Sequence, residues 1–478
     1  MEKLKVDVAV IGAGTSGLNA YRSARSYTER VVLIEGGPYG TTCARVGCMP
    51  SKLMIAAADV AHTIEKAPAF GIYPKDKSQI DGVQVMKRIR EERDRFVGFV
   101  LEAIEGIDPS HRLSGYARFL DDYTLQVGDH TLIEAKAVVI ATGSSPSVPP
   151  MFEGLGDRLL ISDDIFYWQN LPHSVAIFGA GIIGLEIGQA LHRLGVKVIV
   201  MGKGDSVGPI SDPGIREYAA KTFGEEFYFD PDARVLEVRR DGNNVVVRFR
   251  SVNGEERKEK YDYVLAATGR TPNVKNLGLE KTSLELDEKG VPLFDRYTLR
   301  CGNSSIFIAG DANNDLLLLH EASDEGKIAG ENAARFPDIH AGHRRTHLSI
   351  VFTDPQIAIA GSRYKELNEG CFVMGEVSFE DQGRSRVMLK NKGLLHVYAE
   401  YGTGLFLGAE MFGPSAEHIG HLMALGLHQK MTVSEMLEMT FYHPVVEEGL
   451  RTALRDANNK LHKGPPLTSH NIDCGPGA

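Results

Sequence analysis

Ten residues that occur twice constrain this chain more than any other feature. Residues 8–17 read VAVIGAGTSG and residues 175–184 read VAIFGAGIIG, 167 residues later with the glycines in register. Each copy is a short apolar run, then G-x-G-x-x-G, then a helical stretch, then a second apolar run at 31–34 and 198–201. A glycine-rich turn between a buried strand and a helix is the pattern of a dinucleotide-binding unit. Gly12 and Gly179 permit the tight turn, Gly14 and Gly181 let the backbone approach a pyrophosphate, and Gly17 and Gly184 let the helix pack on the strand. The helix N-terminus then attracts the phosphates. One such motif occurs in many strand-to-helix turns, but two with strands on both sides predict duplication of a structural unit.

The two copies differ where they matter for the ligand. Glu35 stands 23 residues past Gly12, at the end of the second strand, where a carboxylate can accept from a ribose hydroxyl; otherwise it is a surface loop charge. The equivalent position of the second copy is Gly202, followed by Lys203. The ribose carboxylate is missing there, and Lys203 is either a partner for the 2′-phosphate of NADP or a solvated lysine. A second echo pairs VVIATG at 138–143, ending in Thr142 and Gly143, with VLAATG at 264–269, ending in Gly269. These two turns bracket the second nucleotide unit, which predicts its insertion into the first. A further strand at 305–309 runs into Gly310 and Asp311, an acid facing the ligand crevice or capping a helix. From about 346 the pattern changes to strand-like runs at 348–352, 394–401 and 405–411 with helices at 417–429 and 433–439, an α+β module. The expected fold is α/β: two Rossmann-like units, 1–150 with 273–345 and the inserted 151–272, then a module at 346–478 whose Pro- and Gly-rich tail from Lys463 is flexible.

Cys43 and Cys48 follow Glu35 closely, in the run TTCARVGCMPSK at 41–52. Five residues of regular helix rise about 7.5 Å, beyond the roughly 7 Å Cα separation a disulfide tolerates. If the two bond, the segment is not regular helix, and Gly47 supplies the backbone freedom for the distortion. The open readings are a labile redox pair, two inert buried thiols, or half of a metal site, although no second cysteine pair accompanies them. Five cysteines in 478 residues make no secreted disulfide framework and point to a reducing, cytoplasmic setting. The net charge of −10 argues against nucleic acid or an anionic membrane as partner, and no apolar run approaches 18 residues.

Together, the duplicated glycine motif, C-x4-C ending in Pro-Ser-Lys, both ATG turns, AGD at 309–311 and the late His443-Pro444 with Glu448 resemble the flavoprotein pyridine nucleotide-disulfide oxidoreductases. The likeness runs over nearly the whole chain and is greatest to their dihydrolipoamide dehydrogenase branch. It implies FAD on the first unit and NAD(P) on the inserted one, with NAD favoured. It also implies a homodimer whose C-terminal dimerisation module completes the partner's site, with no metal. Cys43 then resembles the thiol that exchanges with substrate and Cys48 the one beside the flavin, the two forming a reversible disulfide. Lys52 and Glu186 match an ion pair near the flavin, and Asp311 matches the residue on its ribityl chain. His320 falls in a segment near the flavin edge, or simply packs. His443 matches a general base oriented by Glu448, chemistry suited to thiol deprotonation.

The resemblance implies a small dithiol or disulfide substrate, with lipoyl domains of a 2-oxoacid dehydrogenase complex as partners. Some residues depart from the pattern. Val445 and Val446 replace part of His-Pro-Thr-x-x-Glu, and Arg22 with Phe96 resemble glutathione-reductase-like relatives. Ile182 stands where those have a tyrosine, and Cys474 is a single cysteine where mercuric and thioredoxin reductases carry a pair. The rival readings are an NADPH-dependent reductase of small disulfides and a low-turnover flavin redox sensor.

Overall fold

The computed structural model describes residues 2–75 and 79–462. Its first sheet is built on strand Glu2–Ile11, whose last four residues are buried. Burial on both faces is what a parallel strand under helices requires. Val31–Glu35 pairs with it in parallel on one side, Val8 opposite Val31, and Thr131–Ile140 pairs in parallel on the other. Arg112–Ser114 extends the first edge. Thr131–Ile140 is shared lengthwise: its start pairs antiparallel with Thr124–Val127, and its end pairs in parallel with Ile306–Ile308. The chain thus leaves this sheet at Ile140 and re-enters it at Ile306, with the second unit between.

That unit has five parallel strands in the order Tyr228–Asp230, Lys197–Met201, Ser174–Phe178, Tyr263–Ala266, Leu159–Ile161. A separate antiparallel sheet, Arg234–Asp241, Asn244–Arg250 and Glu256–Tyr261, covers it. The entry and exit segments, Ser144–Pro146 and Arg270–Pro272, pair with each other as a short ribbon. Each follows one of the two ATG turns.

Helices Thr15–Arg25 and Leu319–Arg335 pack backbone to backbone. A Cβ on Gly326 would lie 2.2 Å from the Ser16 carbonyl oxygen, and one on Gly330 would lie 2.2 Å from that of Ala20. The C-terminal module is an antiparallel sheet in the order Leu348–Val351, Gln356–Gly361, Phe406–Gly413, Leu394–Glu400, Phe372–Ser378. Helices Ala416–His428, Val433–Leu437 and Glu448–Lys460 belong to the same module, and its core gathers Met411, Ile419, Met423, Leu450 and Leu454. The runs expected at 348–352, 394–401, 405–411, 417–429 and 433–439 are all present, with ends shifted by a residue or two. Strands Gln356–Gly361 and Phe372–Ser378 and helix Glu448–Lys460 were not anticipated. The strands are short and punctuated by Pro355, Gly361 and Gly375. The helix was readable from Leu450, Ala453, Leu454 and Ala457, all fully buried at helical spacing.

Buried polar contacts lock the three parts together. Glu410, fully buried, accepts the Ser211 N–H at 2.7 Å, the Asp212 N–H at 3.0 Å and the Tyr364 N–H at 2.8 Å. Asp212 caps helix Pro213–Glu226 through Oδ1, and its Oδ2 accepts from Tyr398 at 3.0 Å and lies 2.8 Å from His396 Nδ1. Arg193, nearly buried, meets Glu226 at 2.6 Å and both Asp59 and Asp354 at 3.2 Å. Among the described residues no helix is long and apolar enough to cross a membrane. Cys474 and the tail from Lys463 lie outside the described residues.

Candidate active site

The segment carrying the two cysteines is broken helix, the geometry that a bond between them would require. Helix Thr42–Val46 stops at Gly47, with φ −127° and ψ −117°, and helix Cys48–Lys66 starts immediately after it. The Thr41 hydroxyl receives the Ala44 N–H at 3.3 Å and caps the first helix. A Cβ on Gly47 would lie 3.1 Å from the Thr42 carbonyl and 3.3 Å from the Cys43 Cα, so the kink that folds one helix back on the other is tight. This brings the two thiols close enough for each to shift the other's ionisation.

The expected disulfide is not formed in this structure, where Cys43 and Cys48 are both free cysteines. The neighbouring Cys43 thiol holds the Cys48 thiol down to about 7, against the opposing pull of burial and with help from the Lys52 ammonium. The Cys48 sulfur beside it, with burial, pushes the Cys43 thiol up. One sulfur is thus poised as a thiolate near neutrality, with the other as a thiol beside it.

Lys52, one turn along from Cys48, reaches across to the inserted unit. Its Nζ lies 2.8 Å from Glu186 Oε2, on helix Ile182–Arg193, and 4.7 Å from the centre of the Phe352 ring. Glu186 is only 3% exposed, and its other oxygen accepts the Phe352 N–H at 2.9 Å. Three modules therefore converge on one ion pair beside the cysteines. Phe352 was not singled out in the sequence, because nothing local distinguishes it from any residue at a strand end.

The two glycine turns are geometric copies. Gly12 and Gly179 have φ of +108° and +117°, and a Cβ on either would fall 2.3 or 2.2 Å from the carbonyl of Ala141 or Ala267. Gly17 and Gly184 press on them, a Cβ there lying 1.8 Å from the carbonyl of Gly12 or Gly179. Gly14 and Gly181 face open space, with nothing within 4 Å of an added Cβ. An open notch at a helix N-terminus, between two glycines that cannot move, fits a dinucleotide pyrophosphate at each turn. The hydroxyls of Ser16 and Thr142 are buried without a protein partner beside the first. Gly143 and Gly269, at φ +68° and +100°, leave the same kind of open space.

Glu35 ends strand Val31–Glu35 and is held by the Ala13 N–H at 2.8 Å and the Gly37 N–H at 2.7 Å. Asp311 lies in the turn Gly310–Asn313, and its carboxylate accepts the Ser144 hydroxyl at 2.6 Å instead of capping a helix. Arg270 donates to the same hydroxyl at 2.7 Å, so residues flanking both ATG turns support Asp311.

Gly202 occupies the position of Glu35 in the second copy: Gly12 N–H donates to Ile34 O and Gly179 N–H to Met201 O, both at 2.8 Å. A Cβ at Gly202 would meet the Pro231 carbonyl at 2.5 Å, so the site holds no side chain at all. Lys203 is exposed. Arg22 is exposed on helix Thr15–Arg25, while Phe96 and Ile182 are half-buried on helices Gly82–Glu105 and Ile182–Arg193. His320 Nε2 is buried without a partner. Among the described residues no group of three or more His, Cys, Asp or Glu is placed to hold a metal ion.

His443 sits in the C-terminal module with its side chain 51% exposed, and its Nδ1 lies 3.1 and 3.2 Å from the two oxygens of Glu448. Those bonds fix Nδ1 as the donor and leave Nε2 as the acceptor. None of its hydrogen bonds reaches Cys43 or Cys48 within the chain. Arg451, also missed in the sequence, meets Glu448 Oε1 at 3.1 Å.

Two nucleotide turns flanking a kinked dithiol define a pyridine nucleotide-disulfide oxidoreductase. That family's model matches residues 6–326 and its dimerisation domain matches 348–454, and the chain belongs to the family. It is accordingly an FAD-containing oxidoreductase that works with NAD(P). Similar proteins include a dihydrolipoyl dehydrogenase of Chlamydia pneumoniae, 30% identical over 96% of this chain and 98% of the relative. Dihydrolipoyl dehydrogenase 2 of Haloarcula marismortui is 29% identical over 95% and 97%, and a mercuric reductase of Shigella flexneri 29% identical over 95% and 81%. The solved HOCl-induced flavoprotein disulfide reductase RclA of Escherichia coli shares the fold, with a TM-score of 0.78 at 22% identity over 95% of this chain and 99% of that one. LpdA of Mycobacterium tuberculosis shares it with a TM-score of 0.79 at 24% identity, over 94% and 99%.

Proposed function

We propose that this protein is a dithiol:NAD(P)+ oxidoreductase of the dihydrolipoamide dehydrogenase kind, acting as a homodimer. The observation that carries the reading is the Cys43–Cys48 contact at the Gly47 kink, with one thiol down to about 7 and Lys52 beside it. FAD belongs on the unit formed by 1–150 and 273–345, against Gly12, Gly14, Gly17, Glu35, Thr142, Gly143, Lys52 and Asp311. The nicotinamide nucleotide belongs on 151–272, against Gly179, Gly181, Gly184, Gly269 and Lys203, and 346–478 forms the dimer module. Bound there, FAD supplies a two-electron carrier between the dithiol and the nicotinamide.

The rest is done by the chain. Nε2 of His443 in one subunit takes a proton from a substrate thiol held by the other, with Glu448 orienting the ring. The substrate thiolate attacks Cys43 in its disulfide form, breaking the Cys43–Cys48 bond and leaving the Cys48 thiolate, which Lys52 and the Cys43 side stabilise. The second substrate thiol attacks the substrate sulfur bonded to Cys43, its proton passes to the departing Cys43 sulfur, and the cyclic disulfide leaves. Two electrons have then passed from substrate to the cysteine pair.

Lipoyl groups on 2-oxoacid dehydrogenase complexes fit as the physiological dithiol, and a cytoplasmic setting suits the free thiols Cys301 and Cys371. NAD is favoured by the dihydrolipoyl dehydrogenase relatives. A second reading, NADPH-dependent reduction of a small disulfide, is favoured by Gly202, which excludes the ribose carboxylate, and by exposed Lys203. Purified protein assayed with dihydrolipoamide and NAD+ against glutathione disulfide and NADPH decides between them. Turnover only in the second assay overturns the first reading, and none with any dithiol leaves the redox sensor.

A further inference from the structure

The carboxylate of Glu448 is shared among three donors. His443 Nδ1 lies 3.1 and 3.2 Å from its oxygens, the Val445 N–H donates to Oε2 at 3.2 Å, and Arg451 Nη2 donates to Oε1 at 3.1 Å. Glu448 and Arg451 stand one turn apart at the start of helix Glu448–Lys460, only 5% and 6% exposed. At this spacing two side chains share one helix face. The Arg451 guanidinium also lies 5.7 Å from the centre of the Phe441 ring, two residues before His443. Val445, which follows the His-Pro pair, offers the carboxylate only its backbone, and its carbonyl is held by Gln382 Nε2 at 2.7 Å. His443 itself is half-exposed, and among the described residues its ring is hydrogen-bonded to Glu448.

We propose that Arg451 is a positioning residue for the His443–Glu448 pair: its buried guanidinium pins the Glu448 carboxylate so that His443 Nδ1 stays bonded and Nε2 stays aimed at substrate. This deepens, and rests on, the reading of His443 as the group that takes the substrate proton. Without Arg451, Glu448 keeps one backbone partner and one mobile imidazole, and either carboxylate rotation leaves the ring free to swing. A buried carboxylate stripped of its cation is also costly to keep charged, which weakens its hold on the ring further.

The test is a double-mutant cycle in the purified, flavin-loaded dimer, with dihydrolipoamide and NAD+ as substrates. Arg451→Met is expected to lower kcat on the order of tenfold with KM changed less than about twofold, and Arg451→Lys to recover most of the loss. In a Glu448→Gln background Arg451→Met should cost less than about twofold, because the path through the carboxylate is already cut. An equal cost in both backgrounds, or no recovery with Lys, overturns the proposal. Arg451→Gln, which keeps a donor and drops the charge, takes the place of Met in the cycle if the Met variant does not fold. His443→Gln is assayed alongside. Full turnover there removes the proton-transfer reading itself, whereas a dead His443→Gln with an additive Arg451 cycle overturns the positioning role alone.

Discussion

Gly181 and Gly184 stand three residues apart in one turn, and their replacement by alanine should fail in opposite ways. A Cβ on Gly184 would lie 1.8 Å from the Gly179 carbonyl oxygen, against roughly 3.5 Å for ordinary contact. The helix would have to retreat from its strand by about 1.7 Å, at or beyond the top of the roughly 1–3 kcal/mol that overpacking costs. Gly181, in contrast, has φ −77° and ψ −173°, a conformation open to any residue, and nothing lies within 4 Å of its Cβ. Gly181→Ala should leave the fold as stable as before or firmer by about 0.4–1 kcal/mol through the unfolded chain. Its methyl group instead fills the notch where a phosphate must approach the backbone N–H groups. Losing one charge-assisted bond there costs about 1.5–3 kcal/mol, a ten- to hundredfold weaker nicotinamide nucleotide. Urea unfolding of the flavin-loaded protein and equilibrium titration with NADH and NADPH read the two effects separately. Wild-type nucleotide affinity in Gly181→Ala, or a wild-type urea midpoint in Gly184→Ala, would refute the reasoning.

Mixing His443→Ala chains with Cys48→Ser chains should regenerate turnover in hybrid dimers, each supplying the residue the other lacks; hybrids as dead as their parents exclude a shared site. In the reduced protein the ultraviolet absorbance of the Cys48 thiolate should rise with pH around a midpoint of about 7, and Lys52→Met should move that midpoint upward by removing a nearby cation. A Lys52→Met titration superimposed on wild type sinks the assignment. Burial works against ionising Asp212, but its bonds to His396 and Tyr398 and to the Ile215 N–H outweigh it and hold the carboxyl below its ordinary 3.8. A carboxylate depressed in the folded state stabilises the fold above its unfolded value and loses that contribution as pH falls through the lower folded one. Asp212→Asn should therefore flatten the urea-midpoint profile below about pH 4, and an unchanged slope there counts against the interdomain lock.

Local chemistry made much of this protein legible. The duplicated glycines, the two ATG turns and the break at Gly47 are short-range devices whose residues lie within a few positions of one another, and each stands in the structure where its chemistry required. The supporting residues were not legible in the same way. Phe352 reaches the Lys52–Glu186 pair through a strand end 166 residues from Glu186, and Ser144 and Arg270 meet at Asp311 from opposite ends of the inserted unit. Arg451 is the exception, since its place three residues after Glu448 on an amphipathic run could have been read as a shared helix face.

By itself, the amino-acid order determined two nucleotide units, one inside the other, and a cysteine pair that regular helix cannot join by a bond. Backbone turns and side-chain periodicity are local properties, and they survive translation into any surrounding. Tertiary structure decided which charges and how much burial surround the two cysteines, why Gly202 admits no side chain, and which charges brace Lys52 and Glu448. Those outcomes depend on distances between segments far apart in the chain, set by how three modules pack, and no local pattern encodes such distances.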